Sequence, residues 1–351
     1  DSAEAWGRGS FDRCAVEAGQ TPRMILRDGK NDYPREGQWT SPVGEAEFGF
    51  TELIPSWNAA VPANTGVMFE VRTRDGWWGD WSPWMYMGRW GRTPAGAHAT
   101  SFGGGNVDVD TLLLRRAADA WQIRVNFYSY DVDAAVNPSV RRVAVCYSGV
   151  VSDPAKRKRL VEPVSVAGDW ARDLGVKFRT QKDAPKPISG SICSPTSTSM
   201  VMAYWGVDRP TVENAVAIYD ADNDMFGNWN RAVQRAAELG LDGWVTRFRG
   251  WDGVKACIAR GWPLVVTIRF RKGEFPSSVL SQTAGHLIVI RGMTADGNLI
   301  VNDPASREKG NGVIYPAGEL GRAWFGHGGV AYVIHGAGDR SPGTSGLRVQ
   351  R

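Results

Sequence analysis

The segment Ser189-Gly190-Ser191-Ile192-Cys193-Ser194-Pro195-Thr196-Ser197-Thr198-Ser199-Met200-Val201-Met202 sets a cysteine at the mouth of a helix. Pro195 suits the first helical position, where a missing N–H costs nothing, and Ser194 stands where a cap is needed. Unpaired N–H groups and the positive end of the helix dipole favour a thiolate at such a site. They draw a cysteine pKa from about 8.5 toward roughly 3.5–7.5. A buried structural cysteine needs no such placement, although cysteines also open helices for packing reasons.

Downstream of this segment, helical patterns run over 195–205, 211–219, 229–239 and 252–260, with Gly240 in a C-cap position after the third. The period then changes to that of strands over 263–270, 286–293, 299–302, 313–315 and 329–335. Helices first and an antiparallel sheet afterwards is an α+β order.

Two polar groups stand out against this sheet. Ala284-Gly285-His286-Leu287-Ile288-Val289-Ile290 puts a histidine at the head of an apolar strand, after a glycine that lets another chain or a substrate come close. Asp296-Gly297 is a strong hairpin signal, so Leu299-Ile300-Val301-Asn302-Asp303 becomes the neighbouring strand. In a two-residue turn Asp303 faces the side of His286 and Asn302 faces away. That register sets Asp303 opposite Ile290, about 13 Å along the strand from His286 at roughly 3.3 Å per residue. A wider loop or a bulge is therefore expected to shift the pairing by about four positions.

Upstream, residues 1 to about 150 read as β structure. Val67, Phe69, Val71 and Thr73 alternate with Glu70, Arg72 and Arg74, and Trp121, Ile123, Val125 and Phe127 alternate with Gln122, Arg124 and Asn126. Short strands at this spacing predict an all-β sandwich of the jelly-roll sort. Trp77, Trp78, Trp81, Trp84 and Trp90 cluster here, either as packing or as a stacking platform for a carbohydrate.

The charge balance, 41 basic against 37 acidic residues, gives a net +4 and argues against a nucleic-acid partner. The basic run Lys156-Arg157-Lys158-Arg159 reads as a solvated linker. No stretch approaches the roughly 20 apolar residues of a membrane span. The 16 Trp, 42 Gly and 19 Pro suit an exported protein of rigid loops, and the opening Asp1-Ser2-Ala3-Glu4 fits a processed mature form. A secreted or periplasmic bacterial monomer is expected.

The cysteines at 14, 146, 193 and 257 form no CxxC pair, which leaves Cys14 and Cys146 available to bridge and Cys257 as a small buried apolar residue. Neither a cofactor nor a metal is expected, since no HExxH occurs. Asp220, Asp222 and Asp224 imitate a calcium loop, but Met225 takes the glycine position and Arg231 that of the terminal carboxylate. His327 reads as a turn residue.

Together, CSPTSTSMVMAYWG, AGHLIVIRGM and NLIVNDP resemble the bacteriocin-processing, double-glycine-leader branch of the papain-like cysteine peptidases, the thirty-ninth cysteine-peptidase family. The resemblance covers about 165–335. It implies a papain-like fold in which Cys193 is the nucleophile, His286 the base and Asp303 the group that orients it. An upstream glutamine helps hold the oxyanion in that family. Pro187 stands at the usual position here, so Gln181 is the nearest candidate, beside the Cys193 backbone N–H. The usual Cys-Gly-Pro is Cys193-Ser194-Pro195.

The implied organisation is a β-sandwich accessory domain over 1–150, a linker over 151–165, a catalytic domain over 166–340 and a tail over 341–351. The implied activity is hydrolysis of a peptide, protein or cell-wall amide through an acyl-enzyme. Acyl transfer by the same triad, and a non-catalytic carbohydrate- or protein-binding chain with a degenerate hydrolase domain, are the alternatives. Trp229, Asn228, Gly285 and the loop from Lys272 to Ala284 are expected to rim the cleft.

Overall fold

The computed structural model describes residues 2–27, 33–76, 79–151, 166 and 168–337. Trp77, Trp78, the expected linker from residue 152 and the expected tail lie outside the described residues. The chain divides into two compact units, Asp1–Ser152 and Asp153–Arg351.

The first unit opens with a short helix, α1 (Ala3–Gly7), capped by Ser2. One antiparallel sheet follows. Its strands are β1 (Ser10–Asp12), β2 (Cys14–Glu17), β3 (Arg23–Leu26), β4 (Arg35–Thr40), β5 (Gly44–Ala60), β6 (Thr65–Arg74), β7 (Met85–Gly91), β8 (Ser101–Phe102), β9 (Gly105–Asp108), β10 (Thr111–Ser129) and β11 (Ser139–Ser148). The two alternating segments noted in the sequence pair with each other: Val67 lies opposite Phe127, Phe69 opposite Val125 and Val71 opposite Ile123. Their apolar residues share one buried face.

β5 and β10 are long enough to change partners along their length. The start of β10 pairs with β5 and β9, and its end with β4 and β6. The sheet bends back on itself there. Trp57 of β5 consequently stacks on Phe69 of β6, strands that do not pair, with ring centroids 3.9 Å apart and planes 9° from parallel. Both side chains are fully buried.

The suggested bridge between Cys14 and Cys146 does not occur, as both are thiols. Cys14 lies across β3 from the end of β11 that holds Ser139, and Cys146 lies seven residues further on, roughly 23 Å along the strand. A disulfide needs Cα atoms within about 7 Å. In the tryptophan cluster Trp90 is buried, while the Arg72 guanidinium lies 4.7 Å from the ring centres of both Trp81 and Trp84. Arg124 lies 4.5 Å from Trp84. Cations thus occupy ring faces that a sugar would use.

The second unit contains α2 (Cys193–Tyr204), α3 (Thr211–Ile218), α4 (Trp229–Glu238), β12 (Leu241–Arg247), α5 (Trp251–Ala259), β13 (Leu264–Phe270), β14 (Thr283–Met293), β15 (Leu299–Asn302), β16 (Val313–Tyr315), α6 (Ala317–Trp324) and β17 (Val330–Gly336). The sheet order is β12-β17-β13-β14-β15-β16, all antiparallel. This is an α+β unit, with two elements beyond the sequence expectation. In β12, Asp242-Gly243 reads as a turn, yet Gly243 is there because a Cβ would come 2.7 Å from the Val333 carbonyl oxygen. In α6, Gly318 and Gly321 lower helix propensity, and burial of Leu320, Ala323 and Trp324 overrides it.

The core joins Val266 and Ile268 of β13, Ile288 and Ile290 of β14 and Val301 of β15 to Cys257 of α5 and Trp324 of α6. Helix α2 is enclosed, with every residue from Ser194 to Met202 buried. The hydroxyls of Ser194, Thr196, Ser197 and Ser199 find partners inside the protein, and that of Ser197 donates to the Leu287 carbonyl of β14 at 2.9 Å.

Candidate active site

Helix α2 begins at Cys193 itself, with Ile192 in the cap position and no side-chain cap. Ser194 is not the cap: its Oγ lies 3.1 Å from the Tyr332 hydroxyl in the interior. Pro195 is the third helical residue rather than the first, still within the turn whose N–H groups have no helical acceptor. The Cys193 side chain is half-buried.

Leu287 fixes the helix to the strand that carries His286. A strand residue sends its N–H and C=O to the same edge, and both Leu287 groups point at α2: the carbonyl accepts from Ser197, and the N–H donates to the Cys193 sulfur. The start of α2 thus takes the edge of β14 that β15 leaves after Asn302, which pairs with Val289. The nucleophile candidate is thereby held beside the histidine.

The third group arrives through two irregularities. The expected two-residue turn at Asp296-Gly297 is a five-residue loop, Thr294–Asn298, closed by the pair Met293 and Leu299. A bulge at Arg291 then shifts the register, so that Val301 meets Ile290 and Asn302 meets Val289. Continued one step, this register sets Asp303 opposite Ile288, on the face of His286 and diagonal to it. The register moves by two positions rather than four, and the side chains close the remaining gap. His286 Nε2 lies 2.7 Å from Asp303 Oδ1. Asn302 faces away, its Nδ2 donating to the Val176 carbonyl.

Asp303 is fully buried and saturated with donors. Besides His286, its Oδ1 accepts the Ala305 N–H at 3.0 Å and its Oδ2 the Tyr315 hydroxyl at 2.8 Å. Burial pushes the Asp303 carboxyl up, but the His286 charge and these hydrogen bonds outweigh it and hold the group below the usual carboxylate range. Burial likewise pushes the His286 imidazolium down, while Asp303 and then Cys193 raise it to about 10. For Cys193, burial pushes the thiol up. The hydrogen bond and charge of His286, with the Leu287 and Ser194 N–H groups, bring it below the ordinary thiol value. Since Nε2 is committed to Asp303, Nδ1 is the atom left for the sulfur. The three groups form one chain, sulfur to imidazole to carboxylate.

Tyr315 is the participant that sequence reasoning missed. Its hydroxyl donates to Asp303 and accepts the Val279 N–H at 3.2 Å, which ties the 272–284 loop to the carboxylate. Nothing in Gly312-Val313-Ile314-Tyr315-Pro316 marks it apart from an ordinary strand aromatic.

Gln181 opens a short turn, Gln181–Asp183, and is buried. The stretch between it and Cys193 folds back as expected: Gln181 Nε2 donates to the Ser189 carbonyl at 2.9 Å, and its backbone N–H to that of Pro304. Its Oε1 is buried without a partner among the described residues. Asn228 is employed elsewhere, as the cap of α4 and, through Nδ2, as a donor to Asp220 at 2.8 Å. It is buried, so it does not wall a cleft, and Trp229 is half-buried at the start of α4. Above Gly285 there is open space, with nothing within 4 Å of a Cβ built there. Among the described residues no group of three His, Cys, Asp or Glu side chains could hold a metal ion, and no helix is long and apolar enough to cross a membrane.

Residues 1–148 match the Peptidase C39 N-terminal domain and residues 173–332 the Peptidase C39 like family. No curated protein matches the chain. Among solved structures, a double glycine motif protease from an AMS/PCAT transporter, in complex with the leader peptide, is 19% identical over 50% of this chain and 99% of its own, with a TM-score of 0.34. TmCBM61 in complex with β-1,4-galactotriose is 9% identical over 40% of this chain and 88% of its own, at 0.23. The family 32 CBM from C. perfringens NanJ, in complex with galactose, is 14% identical over 41% and 96%, at 0.19.

Proposed function

We propose a cysteine peptidase-type hydrolase, whose residues 173–332 match the Peptidase C39 like family and in which Cys193, His286 and Asp303 form the catalytic triad. The observation that carries the reading is the continuous hydrogen-bonded chain from the Cys193 sulfur through the imidazole to the Asp303 carboxylate.

At rest the pair is a thiolate and an imidazolium. The sulfur attacks the carbonyl carbon of an amide, and the electrons of the C=O bond move to its oxygen. The Cys193 backbone N–H, which the helix leaves unpaired, donates to that oxyanion. The second hydrogen of the Gln181 amide is the other donor, the first being committed to Ser189. As the C–N bond breaks, His286 gives its Nδ1 proton to the leaving amine. A water then gives its proton to the same nitrogen and attacks the thioester, which releases the acid and restores the thiolate. Asp303, fixed by Tyr315 and Ala305, holds the ring in the tautomer and orientation both halves need.

We take the chain as exported, which its tryptophan, glycine and proline content supports. The first unit is a jelly-roll-like sandwich over 1–150, a reading supported by the partner exchange of β5 and β10. Packing is the role of its Trp81 and Trp84, given the arginines over their rings. The catalytic domain covers 166–340. The test is Cys193→Ala: hydrolysis of peptide substrates disappears while circular dichroism and thermal unfolding stay those of the parent. Full turnover by that variant sinks the assignment. Product analysis with an added amine distinguishes hydrolysis from acyl transfer.

A further inference from the structure

A cationic trough runs beside the strand end that carries His286. Its larger part is a cleft of about 760 Å³ lined by Arg269, Phe270, Arg271, Glu274, His327 and residues 282–284. A second lobe of about 380 Å³ shares Arg269, Phe270, Glu274 and His327 with it and adds Arg322. Three arginines therefore face one glutamate. No carboxylate pairs with any of the three guanidinium groups among the described residues. Glu274 is itself engaged, its carboxylate accepting the backbone N–H of Arg271 at 2.7 Å.

The strand register ties this trough to the proposed chemistry. Ile268 pairs with His286 and Phe270 with Thr283, so Arg269 stands opposite two residues, Ala284 and Gly285. Such a bulge re-aims side chains at the point where it occurs. Arg269 thus lies one strand spacing, about 5 Å, from the backbone that immediately precedes His286. Ala284, which lines the cleft, is two residues from His286, about 7 Å along the strand. The space over Gly285 between them is open. An extended peptide with its scissile carbonyl at Cys193 can reach the arginines with a side chain two or three residues away.

We infer that this trough binds a substrate carboxylate, an Asp or Glu side chain two or three residues from the cleaved amide, so that the enzyme prefers acidic peptides. The inference rests on the hydrolase reading of Cys193 and His286. Arg269 and Arg271 are the specificity residues, reached from solvent and oriented by the bulge and by the Arg271–Glu274 turn.

The experiment uses the full chain and a positional library of internally quenched peptides, randomised except for one fixed Glu, Gln or Lys on either side of the cleaved bond. With Glu fixed at one position, kcat/KM should exceed that for Gln by about five- to tenfold, the worth of a partly exposed, charge-assisted contact. Added salt should shrink the ratio. In the double variant R269E/R271E the preference should pass to Lys. Equal rates for Glu and Gln, or a Glu preference that survives the double substitution, overturn the inference. Iodoacetamide labelling of Cys193 reports the nucleophile separately. Fast labelling with no charge preference removes the trough and leaves the hydrolase, whereas labelling at an ordinary thiol rate removes both.

Discussion

Replacing Asp303 by Asn keeps the shape of the side chain and removes its charge. In the parent, His286 rises from an ordinary 6.5 to about 10 against the opposing pull of burial, and Asp303 is the first cause of that rise. The change corresponds to roughly 5 kcal/mol in favour of the imidazolium, shared between Asp303 and the sulfur. Without the carboxylate charge, burial dominates and the ring becomes neutral near pH 7. Cys193 then loses the cation that holds it below the usual thiol range. The expected fall in kcat/KM is about two to four orders of magnitude, the usual worth of a positioned acid–base group.

The assay is the pH profile of iodoacetamide labelling. Wild type should react at a thiolate rate from below the ordinary thiol range, whereas Asp303→Asn should show the rise within or above that range. Stability carries an independent signature. Asp303 has a depressed native pKa, so its contribution is present above the ordinary carboxylate value and is lost as pH falls through the native one. His286 is raised, so its contribution is complete below about 6.5 and disappears as pH rises through about 10. The melting-temperature gap between wild type and variant should therefore be widest near pH 5–6 and narrow in acid. An Asp303→Asn protein with the labelling profile and turnover of wild type refutes the charge-based account.

Tyr315→Phe leaves a buried Asp303 oxygen and the Val279 N–H without their shared hydroxyl, so about 1–3 kcal/mol of stability should be lost in urea unfolding. Its kcat should fall several-fold while labelling of Cys193 persists. Gly292→Ala puts a Cβ 2.3 Å from the Arg172 carbonyl oxygen, and a loss of more than about 2 kcal/mol is expected in the same measurement. Brief labelling at pH 6.5 followed by peptide mapping should mark Cys193 and spare Cys14 and Cys257, whose thiols burial pushes up to about 11 and about 12. Trp57→Ala removes the ring stacked on Phe69 and should cost about 3–5 kcal/mol, read as a lower melting temperature of the first unit.

The elements of the second unit were legible where apolar periodicity was strong, as in α4, β14 and β15. They were hidden where glycines served close packing, as in β12, or were outvoted by burial, as in α6. Cys193 drew attention at the mouth of a helix, His286 at the head of an apolar run and Asp303 at the end of one, and the family resemblance supplied their roles. The route by which Asp303 reaches His286 was not legible, because a bulge at Arg291 and a five-residue loop are not written in the Asp-Gly signal. Tyr315 was invisible for a different reason: its hydroxyl matters only through a strand pairing and a loop that meet in space. Asn228 drew attention as a cleft wall, and its place just before a helical run was the better guide to its role as a cap.

The extra residue at Arg291 also makes the chemistry of the site a question of backbone counting. Losing one residue from β15, Ile300 for example, would slide that strand by one step against the fixed bulge and turn every following side chain over. The carboxamide of Asn302 would then swing toward the imidazole, and the carboxylate would be turned to the opposite side. A neutral orienting group would replace an anionic one although no codon for either had changed, so insertions and deletions in this strand can retune the enzyme as sharply as substitutions in its pocket.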